Sequence, residues 1–197
     1  MNLFINACVR KQSRTRILAD CLLSKLEGET EEIRLTDLSF PVVDEAFLQE
    51  RDRLIASGRL DDPLFSLARQ FSEADVIVIA APYWDLSFPA ALKQYFELIN
   101  VLGITFMYTP DGYPKGLCRA KKIYYITTAG GMFVPYEFGF GYVKALAENF
   151  YGISDVELIK ACGLDIDGAD PEKIMQEAIK YINNLNLDRG GKERRYL

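Results

Sequence analysis

The chain has 197 residues, of which 49% are hydrophobic and 26% charged, with a formal net charge of -5 and no histidine. The missing imidazole excludes a Ser-His-Asp or Cys-His hydrolase, a His-ligated zinc centre and a histidine general base within this chain. The acidic balance, with a pI near 4.9, argues against a nucleic-acid or anionic-membrane surface, because binding many phosphates needs clustered Lys and Arg.

Size and apolar content predict one globular domain over residues 1–187 and a flexible tail at 188–197, which holds the only dense basic cluster, Lys192, Arg194 and Arg195. Cys8, Cys21, Cys118 and Cys162 form no C-x-x-C pair, and no charged leader precedes an apolar export segment. Reduced thiols and a cytoplasmic location are therefore expected. No apolar run is long enough to span a membrane.

Along the chain, short apolar runs alternate with helical periods, the pattern of an α/β protein. Leu3–Cys8 predicts a first strand, followed by Ile17, Leu18, Cys21, Leu22 and Leu26 at helical spacing. A weak second strand lies near Ile33–Leu35. The stretch from Thr36 to about Pro63 is long for a loop and carries a short helix near Phe47–Ala56. Val76–Ala81 is a continuous β-branched run, as expected of a central strand buried on both faces. After it, Leu92, Tyr95, Phe96, Ile99 and Leu102 make one apolar stripe, with Pro89 in the first turn and Gly103 at the end. Gly103–Ala120 is a second long connection. Lys122–Thr128 predicts the fourth strand, Tyr142–Phe150 a helix and Val156–Ala161 the fifth strand. A last helix opens with Asp170 as N-cap and Pro171 at the first helical position, and aligns Met175, Ala178, Ile179 and Ile182.

In a doubly wound sheet of this kind, ligands bind beyond the carboxyl ends of the strands. After the first strand, Arg10, Ser13, Arg14, Thr15 and Arg16 crowd a helix start, a combination suited to a phosphate-sized anion. The same segment places Cys8 five residues before Arg14 and Thr15, the arrangement of a cysteine-dependent phosphatase loop, although it contains no glycine to fold tightly round a phosphate. After the third strand, Pro82, Tyr83, Trp84 and Asp85 suit a planar ligand. After the fourth, Thr128, Ala129, Gly130 and Gly131 allow close backbone approach.

Taken together, the Ser13-x-Thr15 pair, the block from Ala81 to Gly103, and Phe106-x-Tyr108-Thr109-x-x-Gly112 with Gly116-Leu117 resemble the flavodoxin-like NAD(P)H:quinone oxidoreductases and FMN-dependent azoreductases over roughly residues 1–185. The likeness implies a three-layer flavodoxin-like sandwich with a five-stranded parallel sheet of order 2-1-3-4-5. It implies FMN with its phosphate near Arg10, Ser13, Arg14 and Thr15, its ring system against Pro82, Tyr83, Trp84, Asp85 and Leu86, and its pyrimidine edge along Thr128, Ala129, Gly130 and Gly131. The activity implied is ping-pong hydride transfer from NAD(P)H to a quinone, azo compound or related acceptor, with Tyr136 as the catalytic candidate. A homodimer is implied as well, and the aromatic stretch Phe133, Tyr136, Phe138, Phe140, Tyr142, Phe150 and Tyr151 gives it a surface.

The chain departs from that pattern at Cys8, where relatives usually carry a serine, at Trp84-Asp85 in place of a Tyr-Asn pair, and at Ala129 in place of an arginine found in some azoreductases. It also lacks a histidine to pair with Tyr136. Two rivals remain at this level: a flavodoxin-type electron carrier that does not oxidise NAD(P)H, and a phosphatase using Cys8 and Arg14.

Overall fold

The computed structural model describes residues 1–187, and the expected tail at 188–197 lies outside them. Five parallel strands form the sheet: β1 (Asn2–Asn6), β2 (Thr30–Arg34), β3 (Val76–Ala80), β6 (Lys122–Thr128) and β7 (Asp155–Ala161). Their order is β2-β1-β3-β6-β7, which is the order 2-1-3-4-5 when only these five are counted. The topology reverses between β1 and β3, so a crevice opens where their carboxyl ends part.

Alternating side chains divide the core between the two faces of the sheet. Leu3, Ile5, Ile77, Ile79, Ile123 and Tyr125 point to the face covered by α3 (Ser66–Glu73), α4 (Ala90–Ile99) and α5 (Phe140–Leu146). Phe4, Val78, Ala80, Tyr124 and Ile126 point to the face covered by α1 (Arg14–Leu23) and α6 (Pro171–Asn184). Both faces of the three central strands are thus buried, which is why they read as unbroken apolar runs. By contrast, β2 is an edge strand in which only Ile33 is buried. That explains its faint sequence signal.

Four features differ from the sequence expectations. The helix after β3 stops at Ile99 instead of running to Gly103, and Leu102 is left exposed. Thr105, fully buried, supplies the reason. Its hydroxyl donates to the Ile99 carbonyl at 2.7 Å and accepts from the Val101 N–H at 3.1 Å, closing the helix end with a side chain. The Gly103–Ala120 connection is no plain loop: β4 (Phe106–Tyr108) and β5 (Pro114–Gly116) pair antiparallel as a hairpin. At its tip, Gly112 has a φ of 83° and donates to the Thr109 carbonyl, while the Thr109 hydroxyl accepts from the Tyr113 N–H. Third, α3 has no counterpart in the sequence reading, because only Ala68 and Phe71 mark its buried side. Fourth, the Tyr142–Phe150 helix begins at Phe140 and ends in a π turn over Ala147–Tyr151. The helix near Phe47–Ala56 is present as α2 (Glu45–Ala56), capped by Asp44.

The hairpin docks on that π turn through two glycines. A Cβ on Gly116 would stand 2.1 Å from the Gly152 nitrogen and from the Tyr151 carbonyl carbon. Only a bare Cα permits this backbone-to-backbone contact. The Gly116-Leu117 signature is accordingly a packing requirement of the hairpin.

Candidate functional site

A crevice of about 460 Å³ lies at the carboxyl edge of the sheet. It is lined by Arg10, Ser13, Arg14 and Thr15 after β1, by Pro82, Tyr83 and Trp84 after β3, and by Thr128, Ala129 and Gly130 after β6. Three segments that the sequence singled out separately therefore share one cavity, and its size suits a small-molecule ligand.

The end of the crevice suited to an anion, its anion end, is built by the start of α1. Asn6 directs the chain out of β1: its side-chain oxygen accepts from the Cys8 N–H at 2.9 Å, and its amide donates to Glu32 at 2.8 Å. Ser13 then caps α1 by accepting the Arg16 N–H. The N–H groups of Arg14 and Thr15 donate to nothing among the described residues, so two unpaired donors and the positive end of the helix dipole face the crevice. Thr15 is fully buried, and its hydroxyl lies 2.7 Å from that of Thr128, tying the helix start to the end of β6. Arg16 turns away from the crevice to Asp20 and Glu32, with its guanidinium 5.0 Å from the centre of the Phe4 ring.

The ring end has a different construction. Trp84 and Ser87 exchange backbone hydrogen bonds of 3.0 and 2.7 Å around a two-residue turn. Asp85 and Leu86 between them have φ of 48° and 68°, and are the non-glycine residues with positive φ among the described residues. Tight hairpin turns of this kind normally carry Asn or Gly, and each such residue costs about 1 kcal/mol or more. The Ser87 hydroxyl donates to the Phe138 carbonyl at 2.7 Å and fastens the turn to the neighbouring loop. The turn leaves Trp84 41% exposed, with apolar ring surface available for stacking.

The floor is the glycine segment after β6. Ala129 donates to Ala161, while the carbonyls of Ala129, Gly130 and Gly131 accept from Leu164, Asp165 and Gly163 in the loop after β7. The Gly130 and Gly131 N–H groups remain without a partner among the described residues. This side of the crevice can therefore offer donors to an electron-rich ring edge.

Of the residues expected at the site, Asp85, Leu86 and Gly131 are not part of the lining and are exposed. Tyr136 lies outside the crevice as well. It borders an adjoining cavity of about 50 Å³ with Tyr83, Tyr125, Thr127 and Phe140. The Tyr83 hydroxyl is buried there without a hydrogen-bond partner among the described residues, and burial pushes its phenol above the ordinary range. The lining also includes Val9, Gln12, Leu164 and Asp165, which the sequence reading passes over. The rule that ligands gather beyond strand ends applies equally to the segment after β7, and would have reached Leu164 and Asp165.

Cys8 is buried, and its sulfur sits 3.8 Å from the Ala80 carbonyl. Burial pushes its thiol up, outweighing the Ser13 hydroxyl and the Arg16 charge that pull it down. A phosphatase nucleophile must be an accessible thiolate. Cys8 meets neither condition, which removes the phosphatase.

A phosphate-bearing planar ligand fits these groups. Arg10, Arg14, Ser13 and the free α1 N–H groups suit its anion, the Trp84 face its ring, and the Gly130 N–H its polar edge. Fold and crevice together define a flavodoxin-like protein, and the chain matches the family described as flavodoxin-like fold over residues 2–185, so it belongs to that family. It is 40% identical over 187 residues to an FMN-dependent NADH:quinone oxidoreductase of Lachnoclostridium phytofermentans, covering 89% of this chain and 92% of the relative. Among solved structures it resembles an azoreductase from Bacillus anthracis, with a TM-score of 0.79, 26% identity and coverage of 93% of this chain and 99% of that one. It also resembles an FMN-dependent NADH-azoreductase of Bacillus anthracis in complex with FMN, with a TM-score of 0.74, 25% identity and coverage of 92% and 94%.

Proposed function

We propose that the protein is an FMN-dependent NADH:quinone oxidoreductase that also accepts azo compounds. The observation that carries this reading is the convergence, in one crevice, of an anion end, an exposed indole and a row of unpaired backbone donors. The relatives' names supply the FMN, the NADH and the acceptor classes.

Bound FMN would supply the two-electron, hydride-accepting chemistry that no side chain here possesses. The chain's part is positioning and electrostatics. Arg10, Ser13, Arg14 and the first turn of α1 would hold the phosphate by charge-assisted and backbone hydrogen bonds. Trp84 presents its ring face, and the Trp84–Ser87 turn fixes where that face lies. The Gly130 N–H, with that of the neighbouring Gly131, would offer hydrogen bonds to the electron-rich edge of the ring system. The proton that reduction of an acceptor requires comes from water or from Tyr136, whose side chain stands 50% exposed beside the crevice.

We further propose a homodimer. Met132, Phe133, Tyr136 and Phe138 are all at least half exposed, as are Tyr108 and Tyr113 on the hairpin, more apolar surface than a monomer usually leaves in water. Sedimentation of the purified chain should give twice 22.3 kDa, and a monomer at working concentration would refute this part. With four free cysteines, a reducing cytoplasm is the location proposed, and no helix among the described residues is long and apolar enough to cross a membrane.

One experiment tests the activity. Purified protein is expected to be yellow, to bleach on anaerobic addition of NADH and to regain colour when a quinone follows. A colourless protein that takes up no FMN refutes the reading, and a yellow protein indifferent to NADH and NADPH identifies an electron carrier.

A further inference from the structure

At the anion end, a carboxylate already occupies one of the cations. The Arg14 Nη1 atom lies 2.7 Å from Asp165 Oδ1, an ion pair joining the start of α1 to the loop after β7, and both residues line the crevice. The position of Asp165 is built by its surroundings. Its N–H donates to the Gly130 carbonyl at 3.0 Å, and a Cβ on Gly130 would stand 2.5 Å from Asp165 Oδ2, so the carboxylate rests where Gly130 has no side chain. The other cations leave little substitute. Arg16 is engaged by Asp20 and Glu32, and Arg10 is the one remaining arginine of the lining.

We infer that Asp165 is an internal competitor for the anion end: its carboxylate holds Arg14 where a ligand phosphate would, and so sets both the affinity and the charge selectivity of the site. Where FMN is concerned this rests on the function proposed above, whereas the phosphate chemistry stands independently. A phosphate reaching Arg14 displaces a carboxylate instead of water, and its net gain shrinks accordingly. A dianion can displace the carboxylate; a weakly held monoanion such as chloride gains too little. Released Asp165 swings into solvent, to which its side chain is already 67% exposed. The device makes the phosphorylated ligand exchangeable and keeps the end closed to common anions.

The test is a titration of the full chain, freed of flavin, with FMN, riboflavin and inorganic phosphate, comparing wild type with Asp165→Asn and Asp165→Ser. Both variants should bind FMN and inorganic phosphate about two- to fivefold more tightly, a gain that fades with added salt, while riboflavin affinity stays unchanged. Unchanged or weaker FMN and phosphate binding overturns the inference, since Asp165 would then be neutral or a direct ligand contact. A parallel gain for riboflavin also overturns it, by pointing to a general reshaping of the crevice. Tighter phosphate binding in a protein that takes up no FMN in any form would keep the competitor role and discard the flavin reading.

Discussion

The two ends of the crevice are made by opposite means. The anion end uses a relaxed helix start: Ser13 caps α1, Thr15 is buried against Thr128, and the free N–H groups are a by-product of helix geometry. The ring end uses a turn whose central residues, Asp85 and Leu86, stand in left-handed backbone with no glycine to ease them. Charge can be collected wherever a helix begins, because the dipole and the unpaired donors come with the helix. Placing an indole face at a fixed height above the sheet edge has no such ready device, and the chain accepts strain to achieve it.

The largest effect that would test this contrast is loss of the anion end. Replacing Arg10 and Arg14 together by alanine should weaken FMN binding about 100-fold, as expected for two charge-assisted hydrogen bonds, and leave riboflavin binding intact. Equal losses for both flavins would show that the ends are not separable. Trp84→Ala is expected to weaken FMN and riboflavin alike, by roughly tenfold, because stacking ignores the phosphate. Fluorescence quenching of each flavin measures both ratios. Smaller still is the strain: Leu86→Gly should raise unfolding free energy by about 0.5 kcal/mol, the left-handed penalty removed less the entropy that glycine adds to the unfolded chain. Destabilisation in urea melts would mean that the turn is not strained.

The same contrast decides what could be seen in the sequence. That Ser13, Arg14 and Thr15 share a crevice was legible because they lie side by side at a helix start, and the central place of β3 followed from its buried β-branched run, Val76–Ala80, while the strand order came from the family resemblance. The Trp84–Ser87 turn was not, since Asp-Leu lacks the Asn-Gly chemistry that marks such turns. The hairpin at residues 106–116 escaped because strands of three residues are too short to show a period. Its Gly116 belonged to a legible motif, yet the reason for it, contact with the Tyr151–Gly152 backbone, exists only in three dimensions. Asp165 escaped likewise: an acid far along the chain acquires meaning only once the fold sets it on Gly130 beside Arg14.

A comparably small effect concerns the base of the α1 end of the crevice, where pH should discriminate scaffold from site. Burial pushes the Glu32 carboxyl up, but the Asn6 amide and the Arg16 guanidinium at 2.6 Å outweigh it and hold the group below its ordinary value of 4.5. A carboxylate depressed in the folded state stabilises the protein above its unfolded value, and the contribution disappears as pH falls through the folded one. Glu32→Gln should therefore be less stable than wild type near neutrality, by under about 1 kcal/mol for so exposed a pair. In acid, below the folded-state value, the two should unfold at the same denaturant concentration. Because Arg16 faces away from the crevice, FMN affinity should stay level in this variant while stability changes. A joint loss would show that the Asn6–Glu32–Arg16 network also sets the path of residues 8–13, extending the anion end down to the sheet edge.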